Sequence, residues 1–182
     1  MIGSLPTTLT VDGVEYKINS DYKIALLIFQ AYNDPELSDQ EKAVVCVKCL
    51  YDEVPENKTK ALEKALWFLD GGNMPKSKPL PYKIMDWEQD EQMLFSAVNK
   101  VAGYETRKAE DLHWWTFLGF FNEISEGLWS QVMNIRSKKA KGKKLEKYEQ
   151  EFYNQHKEMI NLKVKYSAEE QAEMDELNKI LG

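Results

Sequence analysis

The chain has 182 residues, a formal net charge of −6 and 43% hydrophobic residues. That length suits one domain, or one domain with an appendage, and the apolar content excludes wholesale disorder. The negative charge argues against a polyanion as partner of the whole molecule, yet residues 136–147 hold seven basic residues against one acid, Glu146.

Taken in chain order, Thr8–Val11 and Val14–Ile18 flank Asp12-Gly13, a pair suited to the positive φ angles of a type I′ turn, so the chain opens on a β-hairpin. A lone hairpin is marginal in water and must lean on the helices that follow. Ser20 or Asp21 caps a first helix with Ile24, Leu27, Ile28 and Ala31 on its apolar face, ending near Asn33-Asp34-Pro35. Ser38-Asp39-Gln40-Glu41 is a capping box opening a second helix, with Val44, Val45, Cys49 and Leu50 turned inward. Asn57 or Thr59 opens a third, with Leu62, Leu66 and Leu69 in register and Gly71-Gly72 as its stop.

Segment 71–85, with Pro75, Pro79 and Pro81, reads as an extended linker. Asp86 then caps a helix carrying Trp87, Leu94, Val98 and Val101, closed around Gly103. Trp114, Phe117, Leu118, Phe121, Ile124, Leu128, Val132 and Ile135 recur at spacings of three and four and predict one continuous helix, bent at Gly119 or Gly127. Leu145, Tyr148, Phe152, Met159 and Leu162 predict a long amphipathic helix, and the capping box Ser167–Glu170 starts a final acidic helix reaching Leu181. The expected fold is mainly α: a helical bundle of about seven helices with a small N-terminal β-hairpin. Residues 1–135 form the hairpin and helical core; residues 136–182 form a basic hinge and a C-terminal helical hairpin.

No catalytic constellation is assembled along the chain. The N-terminus has no basic region followed by a long apolar one, so no signal peptide is expected. The longest apolar runs, Ile24–Phe29 and Trp114–Phe121, fall well short of the roughly 20 residues that span a bilayer. No membrane contact and a cytoplasmic location follow as expectations. Cys46-Val47-Lys48-Cys49 lacks the second ligand pair of a structural zinc site and sits inside a helix, where its thiols pack as small hydrophobes. The acids Asp86, Glu88, Asp90 and Glu91 could be paired carboxylates for acid–base work, but acids at a helix N-terminus are ordinary partners of the macrodipole. His113 has no nucleophile beside it, and no phosphate-binding glycine loop occurs. The expectation is a protein without catalytic residues, metal or cofactor.

Two features remain as candidate binding surfaces. In His113–Phe121, Trp114, Phe117 and Phe121 share a face with Leu118, while Trp115 and Phe120 point elsewhere. Such a helix is either the centre of the core or, in part, a groove for a partner's amphipathic helix. Arg136, Lys138, Lys139, Lys141, Lys143 and Lys144 are either a solvated helix junction or a site for an acidic protein segment or for phosphates. The run lacks interleaved aromatics for base stacking, which argues against nucleic acid.

The stretch Leu112–Leu118, with Ile135-Arg136 and Lys138–Glu149, resembles the bacteriophage "protein fifteen" family, from phages of Gram-positive bacteria with long non-contractile tails. Leu5-Pro6, Val11-Asp12-Gly13, Asp21-Tyr22 and Leu66-Trp67-Phe68 are also similar, so the likeness spans nearly the whole chain. The resemblance implies a tail assembly chaperone that binds the tape-measure protein and keeps it soluble in the host cytoplasm. Such a protein works as a homo-oligomer, has a second tail assembly chaperone as a further candidate partner, and is shed from the finished virion. It supplies no catalytic residues and no established contact residues. The alternative is a nucleic-acid-binding phage regulator using 136–147.

Overall fold

The computed structural model describes residues 3–73 and 82–181. The hairpin forms as expected: β1 (Thr8–Val11) pairs antiparallel with β2 (Val14–Lys17), Val11 opposite Val14, and Asp12 and Gly13 turn the chain at φ 50° and 83°. Leu9 and Val11 bury one face of β1 against the helices. The Asp12 carboxylate accepts hydrogen bonds from Asn57 Nδ2 at 2.8 Å and from Lys60 Nζ, pinning the turn to the start of the third helix.

Three helices follow. In α1 (Tyr22–Tyr32), Asp21 caps by accepting the Lys23 N–H. In α2 (Asp39–Leu50), Ser38 and Glu41 make both halves of the capping box, and in α3 (Lys58–Leu69) Asn57 accepts the Lys60 N–H. Consecutive helices pack on one another. The caps stand where expected, but the buried stripes are rotated. α1 buries Tyr22, Ala25 and Ile28 and leaves Leu27 exposed; α2 buries Cys46, Val47 and Leu50 and leaves Val44 exposed; α3 buries Ala61, Ala65, Phe68 and Leu69 and leaves Leu66 exposed. The inward positions of α1 and α3 carry alanines, which let helix axes approach closely, so the large aliphatics are displaced to the flanks.

The linker expected at 71–85 falls mostly on 74–81, outside the described residues. Asp86 caps a turn rather than the next helix. Its carboxylate accepts the N–H groups of Glu88 and Gln89, and α4 (Glu91–Ala102) begins only after Asp90, ending at Gly103 in the left-handed conformation. A 3₁₀ turn over Thr106–Lys108 leads toward α5 (Trp114–Asn122).

The continuous helix expected from Trp114 to Ile135 is instead two, α5 and α6 (Leu128–Ala140). The break falls at Gly127, whose φ of 93° no helix can pass through, while Gly119 lies within α5. The long amphipathic helix is likewise divided at His156 into α7 (Lys147–Gln155) and the single turn α8 (Lys157–Ile160). The last helix, α9 (Ala168–Leu181), has the Ser167–Glu170 reciprocal cap.

The protein is mainly helical, with nine α-helices and one two-stranded hairpin among the described residues. The main core joins the hairpin, α1 to α5 and Trp129 of α6. Val132 and Ile135 of α6 form a smaller core with Ile160, against which Leu145, Phe152 and Tyr153 pack. The boundary expected at 135/136 therefore falls inside α6.

Candidate functional site

The aromatic stretch is built inward. Trp114 is 1% exposed and Phe117 fully buried. Tyr22 stacks on Phe117 with ring centroids 4.6 Å apart, and Phe117 in turn stacks on Trp114. The indole N–H of Trp114 donates to the Leu69 carbonyl at 2.9 Å, and that of half-buried Trp115 to the Phe68 carbonyl at 2.8 Å. The last carbonyls of a helix have no partner within it; the two tryptophans supply donors at the end of α3. A Cβ on Gly72 would stand 2.9 Å from the Trp115 ring, so that close approach requires glycine. Phe121 lies between Trp87 and Trp129, and Phe120 against Tyr104. Trp114 and Phe117 thus belong to the interior, and Trp115, Phe120 and Phe121 are partly buried against it.

His113 is accounted for by the backbone. Its Nδ1 accepts the Trp115 N–H, capping α5, so Nε2 carries the proton and donates to the Pro6 carbonyl at 2.9 Å. Cys46 is buried, and burial raises its thiol pKa to about 11, far from thiolate chemistry. Among the described residues, no three His, Cys, Asp or Glu side chains converge as a metal site would require.

The basic run divides in the same way. Arg136 is 7% exposed and faces inward. Its guanidinium donates to both Asp90 oxygens at 2.6 and 2.8 Å and to the carbonyls of Ile84, Met159 and Ile160, tying α4, α6 and α8 together. Lys138 pairs with the buried Glu149 at 2.6 Å, and Lys139 sits 3.6 Å over the Tyr153 ring. Lys141, Lys143 and Lys144 are exposed, and among the described residues no side-chain hydrogen bond or ion pair holds them. The expected patch is therefore smaller than the sequence suggests, because its first half builds the second core.

An apolar groove lies where no candidate residue was expected. Val44 and Val47 of α2, Val54 and Pro55 of the following loop, and Leu62 of α3 line an open groove of about 650 Å³. Val44 is 48% and Val54 42% exposed. Lys48, Lys58, Gln40 and Glu56 also line it. The signal lay in Val44-Val45-Cys46-Val47 with Cys49 and Leu50, more apolar positions than one inward stripe can bury. A second groove, beside Tyr22, Leu26, Leu27 and Trp87, is more polar, with Lys23, Glu88, Glu91 and Arg107 around it.

A family described as Bacteriophage Gp15 protein matches residues 1–162. The chain belongs to that family. No curated protein and no solved structure matches it. The α2/α3 groove of this Gp15-family protein lies within the matched stretch, and α9 lies beyond it. No described helix is long and apolar enough to cross a membrane.

Proposed function

We propose that this Gp15-family protein is a non-catalytic tail assembly chaperone that holds an apolar helix of the tape-measure protein in its α2/α3 groove. The reading rests on one observation above all: the groove exposes Val44 on the capped helix α2 and Val54 on the loop that joins it to the capped helix α3, beside three charged lining residues, Lys48, Glu56 and Lys58. Such a surface takes the apolar face of an amphipathic helix, anchored at positions three and four apart. Its open form suits a holder that must release, since moderate affinity at many copies gives strong but reversible retention. The acidic body keeps the complex soluble. The protein acts in the host cytoplasm alongside a second chaperone and is shed before the virion is complete.

The nucleic-acid reading loses support because Arg136 is buried and Lys138 and Lys139 are engaged by Glu149, Tyr153 and Asn161. Co-expression tests the chaperone reading. Tape-measure fragments are expected to stay soluble with the natural chain and to precipitate with Val44→Asp. Equal insolubility with and without the natural chain would refute it.

A further inference from the structure

We propose that α9 of one copy docks into the α2/α3 groove of a second copy, and that the exchange is reciprocal. Every residue from Ala168 to Ile180 is exposed, so α9 does not lie on its own body. Yet it is not polar all round. Met174, Leu177 and Ile180 are 38%, 55% and 74% exposed. Steps of three on a helix of 3.6 residues per turn place them within a sector of about 120°, a stripe of the width that helices bury.

The same chain thus carries an uncovered apolar stripe and an uncovered apolar groove, and their charges are opposite. α9 bears Glu169, Glu170, Glu173, Asp175 and Glu176 against the single Lys179, while Lys48 and Lys58 line the groove against one acid, Glu56. The lengths agree as well: at 1.5 Å per residue, α9 is about 21 Å long and α2 about 18 Å.

The chain's own α9 is not seated in its groove, since residues 168–180 are all exposed, and the occupant inferred is therefore the α9 of a second copy. Residues 161–167 form a strap held at two points, where Lys163 and Gln89 exchange two hydrogen bonds of 2.9 Å and Lys165 pairs with Glu88; at the start of α9 the Ala168 N–H donates to the Glu36 carboxylate. From that anchor the helix leaves the body. Two copies that exchange α9 satisfy both grooves and close the assembly with two-fold symmetry.

The inference rests on the same groove as the chaperone reading, with α9 as an occupant that a client helix must displace. Light scattering on the eluting full-length protein tests it without any client. The natural chain is expected at the mass of two copies. Val44→Asp, Val54→Asp and the double variant Leu177→Asp/Ile180→Asp, all at exposed positions, are expected at the mass of one with unchanged helicity. Mixing Val44→Asp with the double variant restores one intact groove and one intact α9, so part of the sample returns to the mass of two. A natural chain that elutes as one copy at all concentrations overturns the proposal. So does a dimer that survives both groove substitutions, which would mean that α9 pairs with another surface. A dimer that fails to hold tape-measure fragments refutes the chaperone reading alone; a monomer that holds them refutes only this one.

Discussion

Arg136 offers the sharpest test of how the second half of the chain is built. The sequence presents it as the first member of an exposed basic run, whereas the structure makes it the link between α4, α6 and α8. Replacing it with alanine removes five donated hydrogen bonds and leaves the Asp90 carboxylate, 4% exposed, without its counter-charge. Breaking one partner of a buried ion pair costs about 3–5 kcal/mol, a large part of a typical total stability of about 5–15 kcal/mol. At about 2–4 °C per kcal/mol for a chain of this size, Arg136→Ala should lower Tm by roughly 6–20 °C. Lys144→Ala, at an exposed position, should change stability by no more than about 0.5 kcal/mol. The double variant Asp90→Leu/Arg136→Met should recover much of the loss, since it buries no unpaired charge. Thermal and urea unfolding followed by circular dichroism give all three values. A loss below about 1 kcal/mol for Arg136→Ala would contradict the buried clamp and return Arg136 to the surface patch.

Other consequences follow from the same contacts. Trp114→Phe keeps an aromatic ring but leaves the Leu69 carbonyl without its donor, and should cost about 1–3 kcal/mol in urea unfolding with an unchanged m-value. Gly72→Ala forces a side chain into a φ of 87° and against Trp115, and should destabilise by at least about 1–2 kcal/mol. Gly119→Ala, with open space around its position inside α5, should instead stabilise by about 0.5–1 kcal/mol. Burial works against the charged form of Asp86, but Lys83 and the N–H groups of Gln89 and Glu88 outweigh it and hold its pKa below 3.8; Lys138 and the Glu146 N–H hold that of Glu149 below 4.5. Because both folded values are depressed, their stabilisation is complete above the unfolded values and is lost as pH falls through the folded ones. Tm should therefore stay level down to about pH 5 and drop below about pH 4; a Tm that rises on acidification would contradict these pairings.

What was legible in the sequence was local. Asp12-Gly13, Ser38–Glu41, Asn57, Gly103 and Ser167–Glu170 each mark an element end through a backbone requirement met by nearby side chains, and the structure follows them. The rotated stripes were not legible, because which face of α1, α2 or α3 turns inward depends on the fit of Ala25, Ala61 and Ala65 against neighbouring helices. The break between α5 and α6 was legible only as a bend: three- and four-residue spacing continues across Gly127, but its backbone does not. Arg136 and Lys138 were read as surface cations because their partners, Asp90 forty-six residues away and Glu149 across a turn, are set by tertiary contact. The groove was hidden for the converse reason, since Val44 reads as core until α2 is oriented.

The central claim is that the α2/α3 groove, and not the aromatic helix or the lysine run, holds the client. A titration of a fluorescent tape-measure helix against the natural chain and its variants tests it most directly. Placing a carboxylate at Val44 or Val54 removes apolar contact worth about 1.5–3 kcal/mol, so each variant is predicted to weaken Kd by roughly tenfold to a hundredfold. Lys141→Ala/Lys143→Ala/Lys144→Ala is predicted to stay within about twofold at physiological salt. Unchanged binding by both groove variants, with the affinity lost in the triple lysine variant, would contradict the account.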